Sequence, residues 1–311
     1  CLRQSLQQYR IYLFRLLMKR LISLVLVFAV SLVILILLVV EATSYWVDRR
    51  NFKNSETESN LLVMRNDSSY DLVFLGISHA RNFSRHRNHE RIESILNQKI
   101  LNMGQGGGIC GPNEQLFYLQ YFYSLGNKAK KIVYVLSPPF MFSVSLPIAS
   151  NTFNYEPFRI PFVWQYLNFP AENRSERLMS MIQFKLTPTW INHIPFSYPI
   201  GTSRLEKLDS ATVAKGQELA FNSGSEDMKR FAFSADILQQ TIDLARSHGT
   251  EVVLFIPPAL FGKWPGHEIT KKFGEKVALQ KGVSFYDFSE TEFDPKFYYD
   301  HHHLNTYGVV H

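Results

Sequence analysis

Three short segments carry side chains that could act together on an ester. Gly76-Ile77-Ser78-His79-Ala80-Arg81-Asn82 sets a hydroxyl directly after a short apolar run. A serine there, followed by a helix, exposes its Oγ beside backbone N–H groups able to hold a developing oxyanion. Asn102-Met103-Gly104-Gln105-Gly106-Gly107-Gly108 places glycines where a backbone N–H can approach a substrate closely. Asp300-His301-His302-His303-Leu304-Asn305 offers an aspartate and a histidine three residues apart. In a helical turn these two face the same way, so one carboxylate can orient one imidazole. That imidazole can take a serine proton and later return it. Each segment alone has a plainer reading: a helix cap, a flexible turn, a surface histidine cluster. A phosphate loop is a poor fit, because the Gly-Lys-Ser/Thr of the Walker pattern is absent. Three adjacent histidines do not readily converge on one ion, so no metal and no cofactor is expected.

The elements that must position these groups alternate in type. Leu72 to Gly76 reads as a buried strand, and His89 to Asn97 as a helix. Lys99 to Asn102 is a second strand ending in the glycine turn, Asn113 to Leu125 an aromatic-rich helix, and Ile132 to Leu136 a third strand. The rhythm resumes with a helix over Ser234–His248, capped by Ser234, a strand at Val252–Ile256, a helix over Glu268–Gln280 and a last strand at Val283–Tyr286. Strands alternating with helices predict an α/β fold with a flavodoxin-like, doubly wound parallel sheet over residues 70–311. Residues 143–232 break the pattern and read as a large aromatic-rich insertion. This insertion is either a stabilising flap or a binding wall whose Trp164, Tyr166, Trp190 and Tyr198 stack on sugar rings.

Of the 311 residues, 46% are hydrophobic, which excludes a disordered chain, and two cysteines exclude a disulfide scaffold. The net charge of +6 is largely local: residues 1–41 hold five basic side chains against Glu41, and the remaining 270 hold 28 basic and 26 acidic. Nucleic acid is therefore not the expected partner. The excess abuts Leu21–Val40, twenty residues without a charge, long enough for a bilayer core of about 30 Å. A transmembrane helix over 21–40 is expected, preceded by a basic cytoplasmic segment (1–20, of which 1–17 precede Met18, the expected initiator). A polar stalk is expected at 41–69. Lys19 and Arg20 place the N-terminus in the cytoplasm and the domain outside it, in the periplasm or at the cell surface.

The order serine, glycine turn and terminal Asp-x-x-His resembles the SGNH (GDSL-like) hydrolase superfamily over about residues 70–140 and 250–308. The resemblance implies Ser78 as nucleophile, Gly107 as oxyanion donor, His303 as base and Asp300 as its orienter. The family also places an Asn after the third strand, whereas Leu136-Ser137-Pro138-Pro139 has none; Asn113 is the substitute considered, with backbone donors from Ser78 and Gly107 as the alternative. A closing helix of the family is missing after His303, so a truncated C-terminus is expected. Anchor, insertion and absent Asn together are similar to anchored envelope proteins of alginate O-acetylation and teichoic-acid D-alanylation. Those work beside a membrane-bound O-acyltransferase. The function this implies is a serine esterase or acyltransferase acting on O-acyl groups of a surface polysaccharide. A non-catalytic polysaccharide-binding or assembly protein on the same fold is the alternative.

Overall fold

Five strands form one parallel sheet in the order β2-β1-β3-β4-β5. They are β1 (Ser69–Leu75), β2 (Ile100–Asn102), β3 (Lys128–Val135), β4 (Glu251–Ile256) and β5 (Val283–Asp287). The computed structural model describes residues 2–51, 59–106, 111–142, 151–191, 203–221, 227–279 and 283–311. This is the flavodoxin-like, doubly wound order, whose chain reversal lies between β1 and β3. Register brings the carboxyl ends into line: Phe74 pairs with Asn102, Leu75 with Tyr134, and Val135 with Phe255.

Alternation along the strands explains why both faces are covered. Val73, Leu75, Leu101, Ile132, Tyr134, Val252 and Leu254 join the larger core. It is closed by α5 (Pro112–Ser124), α11 (Met228–Ser247) and α12 (His267–Ala278). Phe74, Ile100 and Val135, one position out of phase, pack on the opposite side against Ala80 of α3 (Ser78–Arg81) and Ile92 of α4 (Asn88–Leu96). Val309 of α13 (Thr306–Val310) completes that smaller cluster.

Helix α11 starts earlier than expected. Asp227, not Ser234, is its cap, accepting from the N–H groups of Lys229 and Arg230 at 3.0 Å each. Ser234 is buried within the helix.

The insertion supplies α7 (Ile160–Asn168), α8 (Arg174–Lys185), α9 (Pro188–Ile191) and α10 (Ser210–Ala220), following α6 (Pro138–Phe142). Its aromatic side chains build a core against α5: Phe153, Phe162, Tyr166 and Phe169 surround Phe117 at ring centroid distances of 6.2, 5.2, 4.9 and 5.3 Å. Arg177 of α8 crosses to Glu114 of α5 and donates to the Tyr166 hydroxyl at 2.9 Å.

Helix α1 (Leu2–Asn51) contains a stretch, Arg10–Val47, long and apolar enough to cross a membrane; its most apolar window has mean hydropathy 3.3 and no buried residue. Where it is described, the expected stalk at 41–69 packs on the domain instead of standing clear in solvent. Ser44 and Val47 are buried, Val40 before them is too, and α1 packs on α8 and α9. Ser59, Asn60, Leu61 and Leu62, around α2 (Asn60–Val63), are buried as well. The reason is one carboxylate. Buried Glu156 accepts from Ser59 Oγ (2.7 Å), the N–H groups of Asn60 and Leu61 (2.9 Å each) and the Tyr118 hydroxyl (2.5 Å). A run of Asn, Ser and Glu reads as solvated until such a distant acceptor is known.

Candidate active site

Ser78 opens α3 immediately beyond β1, at the carboxyl edge where the strand order reverses. Open α/β sheets bind ligands at that crevice. The sharp turn into it depends on Gly76, whose φ is +133° and where a Cβ would lie 2.8 Å from the Val135 carbonyl oxygen. Gln115 of α5 locks this turn: its Nε2 donates to Gly76 O at 2.9 Å and its Oε1 accepts from Gly76 N at 3.0 Å. The turn after β2 lies against α3, and a Cβ on Gly104 would meet Ala80 Cβ at 2.7 Å. Asn102 joins the two, donating to Ala80 O (2.7 Å) and accepting from Gly104 N (2.8 Å).

The Asp300–His303 segment is not the helical turn expected from its spacing. An antiparallel bridge between Tyr298 and Leu304 closes it into a loop. Asp300 organises that loop with one oxygen, Oδ1, which accepts from the N–H groups of His302 (2.9 Å) and His303 (2.8 Å). Its other oxygen, Oδ2, is 2.7 Å from His303 Nδ1. His303 Nε2 is in turn 2.8 Å from Ser78 Oγ, across 225 residues of chain. The Tyr299 ring stacks on the imidazole at 5.4 Å with a 3° interplanar angle. Asn82, at the end of α3, donates to Leu304 O at 3.2 Å and ties the loop to the serine's own helix.

Electrostatics follow from this packing. Burial alone would raise the Asp300 carboxyl. The His303 hydrogen bond and charge, aided by His302, outweigh burial and hold the group well below the usual carboxylate range. Burial, then the charge of His303, pushes His302 down to about 4. His79 is also held well below the usual imidazole range, by burial and then by the charges of His303 and His302. Above pH ~6.5 these two rings are neutral folded or unfolded. Between about 6.5 and 4 the unfolded chain binds protons that the folded chain refuses, so stability falls as pH falls through that window. For His302 the loss is on the order of 2–3 kcal/mol. The melting midpoint is expected to drop between pH 7 and pH 5, and His302→Gln to shrink that drop.

The ring nitrogens of His79, His302 and His303 offer a possible metal grouping, one from each residue lying within 4.8 Å of one another. Tetrahedral zinc with bonds near 2.0–2.1 Å needs nitrogens about 3.3 Å apart, and His303 already engages Asp300 and Ser78.

Of the other expected site residues, Asn113 is buried in the first turn of α5, while Gly107 and Tyr198 lie outside the described residues. Tyr166 and Trp190 do not serve as stacking platforms. Both are fully buried, Tyr166 among the phenylalanines around Phe117 and Trp190 beneath the Lys185 ammonium, 3.3 Å from the ring centroid. Trp164 is exposed on α7. Sequence reasoning missed Gln115 and Asn82, because a side-chain amide that fastens a distant loop leaves no local pattern.

A second Ser–His–Asp group exists and differs in kind. Ser289 Oγ (3.0 Å) and Asp287 Oδ2 (3.1 Å) both meet the same nitrogen, His267 Nε2, and both Ser289 and His267 are buried. Asp287 therefore competes with Ser289 for one nitrogen, while the other, Nδ1, meets only the exposed Glu268 carboxylate at 3.3 Å; in the Ser78 cluster Asp300 takes Nδ1 and leaves Nε2 to the serine alone.

No protein-family model matches the sequence, and no curated protein matches it. Among solved structures the chain is similar to a candidate acylhydrolase of Bacteroides fragilis, with TM-score 0.38 and 11% identity over 78% of this chain and 82% of that one. It is also similar to an acetyl xylan esterase from the rumen bacterium Butyrivibrio proteoclasticus, with TM-score 0.34 and 11% identity over 79% of this chain and 61% of that one. Likeness at this level carries no information about substrate.

Proposed function

We propose that this chain is a serine-dependent acyl-transfer enzyme of the SGNH type, working outside the cytoplasm at a membrane. The observation that carries the reading is the unbroken series Ser78 Oγ–His303 Nε2 at 2.8 Å and His303 Nδ1–Asp300 Oδ2 at 2.7 Å. Ser78 Oγ attacks an ester carbonyl while His303 takes its proton. The tetrahedral intermediate then collapses, the C–O bond to the alcohol breaks, and His303 returns the proton to that alcohol. Asp300 keeps the Nδ1 proton and so leaves Nε2 free to accept. The Ser78 N–H, in a first helical turn with no carbonyl to bond, is one oxyanion donor, with Gly107 and Asn113 as the further candidates. The acyl-serine passes either to water or to a sugar hydroxyl.

The substrate class we favour is the O-acyl group, acetyl in type, of an envelope polysaccharide, with a membrane-bound O-acyltransferase as donor partner. The apolar stretch of α1 supports a single-pass anchor, and Lys19 and Arg20 at its start support a cytoplasmic N-terminus. A non-catalytic glycan-binding role is the second reading, favoured by the lack of an Asn in Leu136-Ser137-Pro138-Pro139 after the third strand. The burial of Tyr166 and Trp190 weakens it, by removing two of its four stacking rings.

Rapid mixing with 4-nitrophenyl acetate separates the two. An enzyme releases a burst of one equivalent of nitrophenolate before slower turnover, and an oligosaccharide acceptor accelerates that turnover if transfer is the natural step. Folded protein that gives neither burst nor turnover contradicts the proposal.

A further inference from the structure

The domain grips α1 before its apolar run ends. Leu21–Val40 is twenty residues long, about 30 Å, which matches a bilayer core. Yet Ile36 and Leu37 pack on the domain's core and Val40 is fully buried in it. Residues 21–35 alone stay clear of the domain, which is about 22 Å of helix. A hydrocarbon layer of about 30 Å therefore reaches about 7 Å past the first contact and wets part of the domain itself. Any domain surface at that depth has to be apolar, since polar groups lose water there.

Helix α7 presents such a surface. It begins two residues after Phe158, whose N–H donates to Ser44 Oγ at 2.9 Å. Ser44 lies four residues beyond Val40, about 6 Å along the axis and at headgroup level. The helix is apolar on both sides. Phe162 and Tyr166 face the core, while Ile160, Trp164 and Leu167, spaced i, i+4 and i+7, are 52%, 67% and 44% exposed. An ordinary surface helix turns polar residues outward. At its C-terminal end the Tyr166 carbonyl accepts from Phe169 N–H (3.1 Å), and Arg174 Nη1 donates to Leu167 O (2.8 Å) and to Phe169 O just beyond the helix (3.0 Å). Tyr45 and Trp46 of α1, 65% and 52% exposed, mark the same level with the aromatic pair common at membrane–water boundaries.

We propose that α7 is a membrane-surface helix, with Ile160, Trp164 and Leu167 set into the headgroup–acyl boundary of the bilayer that α1 crosses. The proposal rests on α1 being a membrane anchor. The insertion is then a seat: it clamps the end of the anchor and lays one helix on the lipid at a depth typical of interfacial helices, about 5–10 Å. A domain held this way does not swing on a tether.

The test uses the full chain with Cys1 and Cys110 replaced by serine. A single environment-sensitive fluorophore is placed at Tyr45→Cys, Trp164→Cys, Ile160→Cys or Leu279→Cys, the last an 89% exposed site at the end of α12. The proteins are reconstituted into phosphatidylcholine–phosphatidylglycerol vesicles containing nitroxide-labelled lipid. Positions 45, 160 and 164 are expected to lose at least half their emission to the nitroxide, and position 279 to lose little. Quenching at 45 without 160 and 164 overturns the seat and leaves the anchor standing. No quenching at any position overturns the anchor and the seat together. Equal quenching at all four overturns the seat as well. A label at 164 that is shielded from water but insensitive to the nitroxide means a protein covers this face, and the proposal fails.

Discussion

Ser78→Ala is expected to lower ester turnover by about 10⁴–10⁶-fold, the range seen when a triad nucleophile is removed. KM should change little, because the hydroxyl contributes to the transition state and not to ground-state binding. The double variant Ser78→Ala/His303→Ala should be no slower than the single one. His303 acts only through the proton of Ser78 Oγ, 2.8 Å away, so once the hydroxyl is gone the imidazole has nothing left to do. Initial rates on 4-nitrophenyl acetate, with the fold checked by circular dichroism, measure both effects. Multiplicative losses in the double variant would mean that the two residues work independently.

Asp300→Asn is expected to cost about 10⁴-fold in kcat, and the reason lies in how its two oxygens are used. Oδ1 takes two backbone N–H groups, those of His302 and His303. Only a carbonyl oxygen can keep those bonds, so an asparagine must turn its oxygen toward them and its NH₂ toward His303 Nδ1. That nitrogen then has to accept, and the ring proton moves to Nε2, pointing at the very hydroxyl it should deprotonate. The loop would keep its shape while the tautomer inverts. Steady-state rates together with ¹⁵N imidazole shifts test this directly. Near-native rates with an unchanged tautomer would show that the carboxylate is only a loop cap.

Much of this site is legible in the chain because its parts sit at strand ends. β1 reads as a continuous apolar run that must be buried on both faces, and Ser78 follows it by three residues. The alternating pattern also suffices for the doubly wound sheet that brings β1 beside β3. The manner in which Asp300 meets His303 is less legible. A three-residue spacing suggests a helical turn, whereas the Tyr298–Leu304 bridge and the carboxylate's own hydrogen bonds make a loop. The insertion misleads for a related reason. Trp190 and Tyr166 look like free aromatic surface in a polar context, and only three-dimensional packing shows that Lys185, Arg177 and Phe117 enclose them. The supposed stalk fails likewise, since Glu156 lies nearly a hundred residues from the segment it binds.

The most direct measurement is the site of covalent capture by a fluorophosphonate, read by peptide mass mapping of the folded, full-length chain. One adduct per molecule on Ser78, lost in Ser78→Ala and strongly slowed in His303→Ala, is the expected result. An adduct on Ser289 or elsewhere, or folded protein that never reacts, would contradict the assignment of Ser78 as the nucleophile.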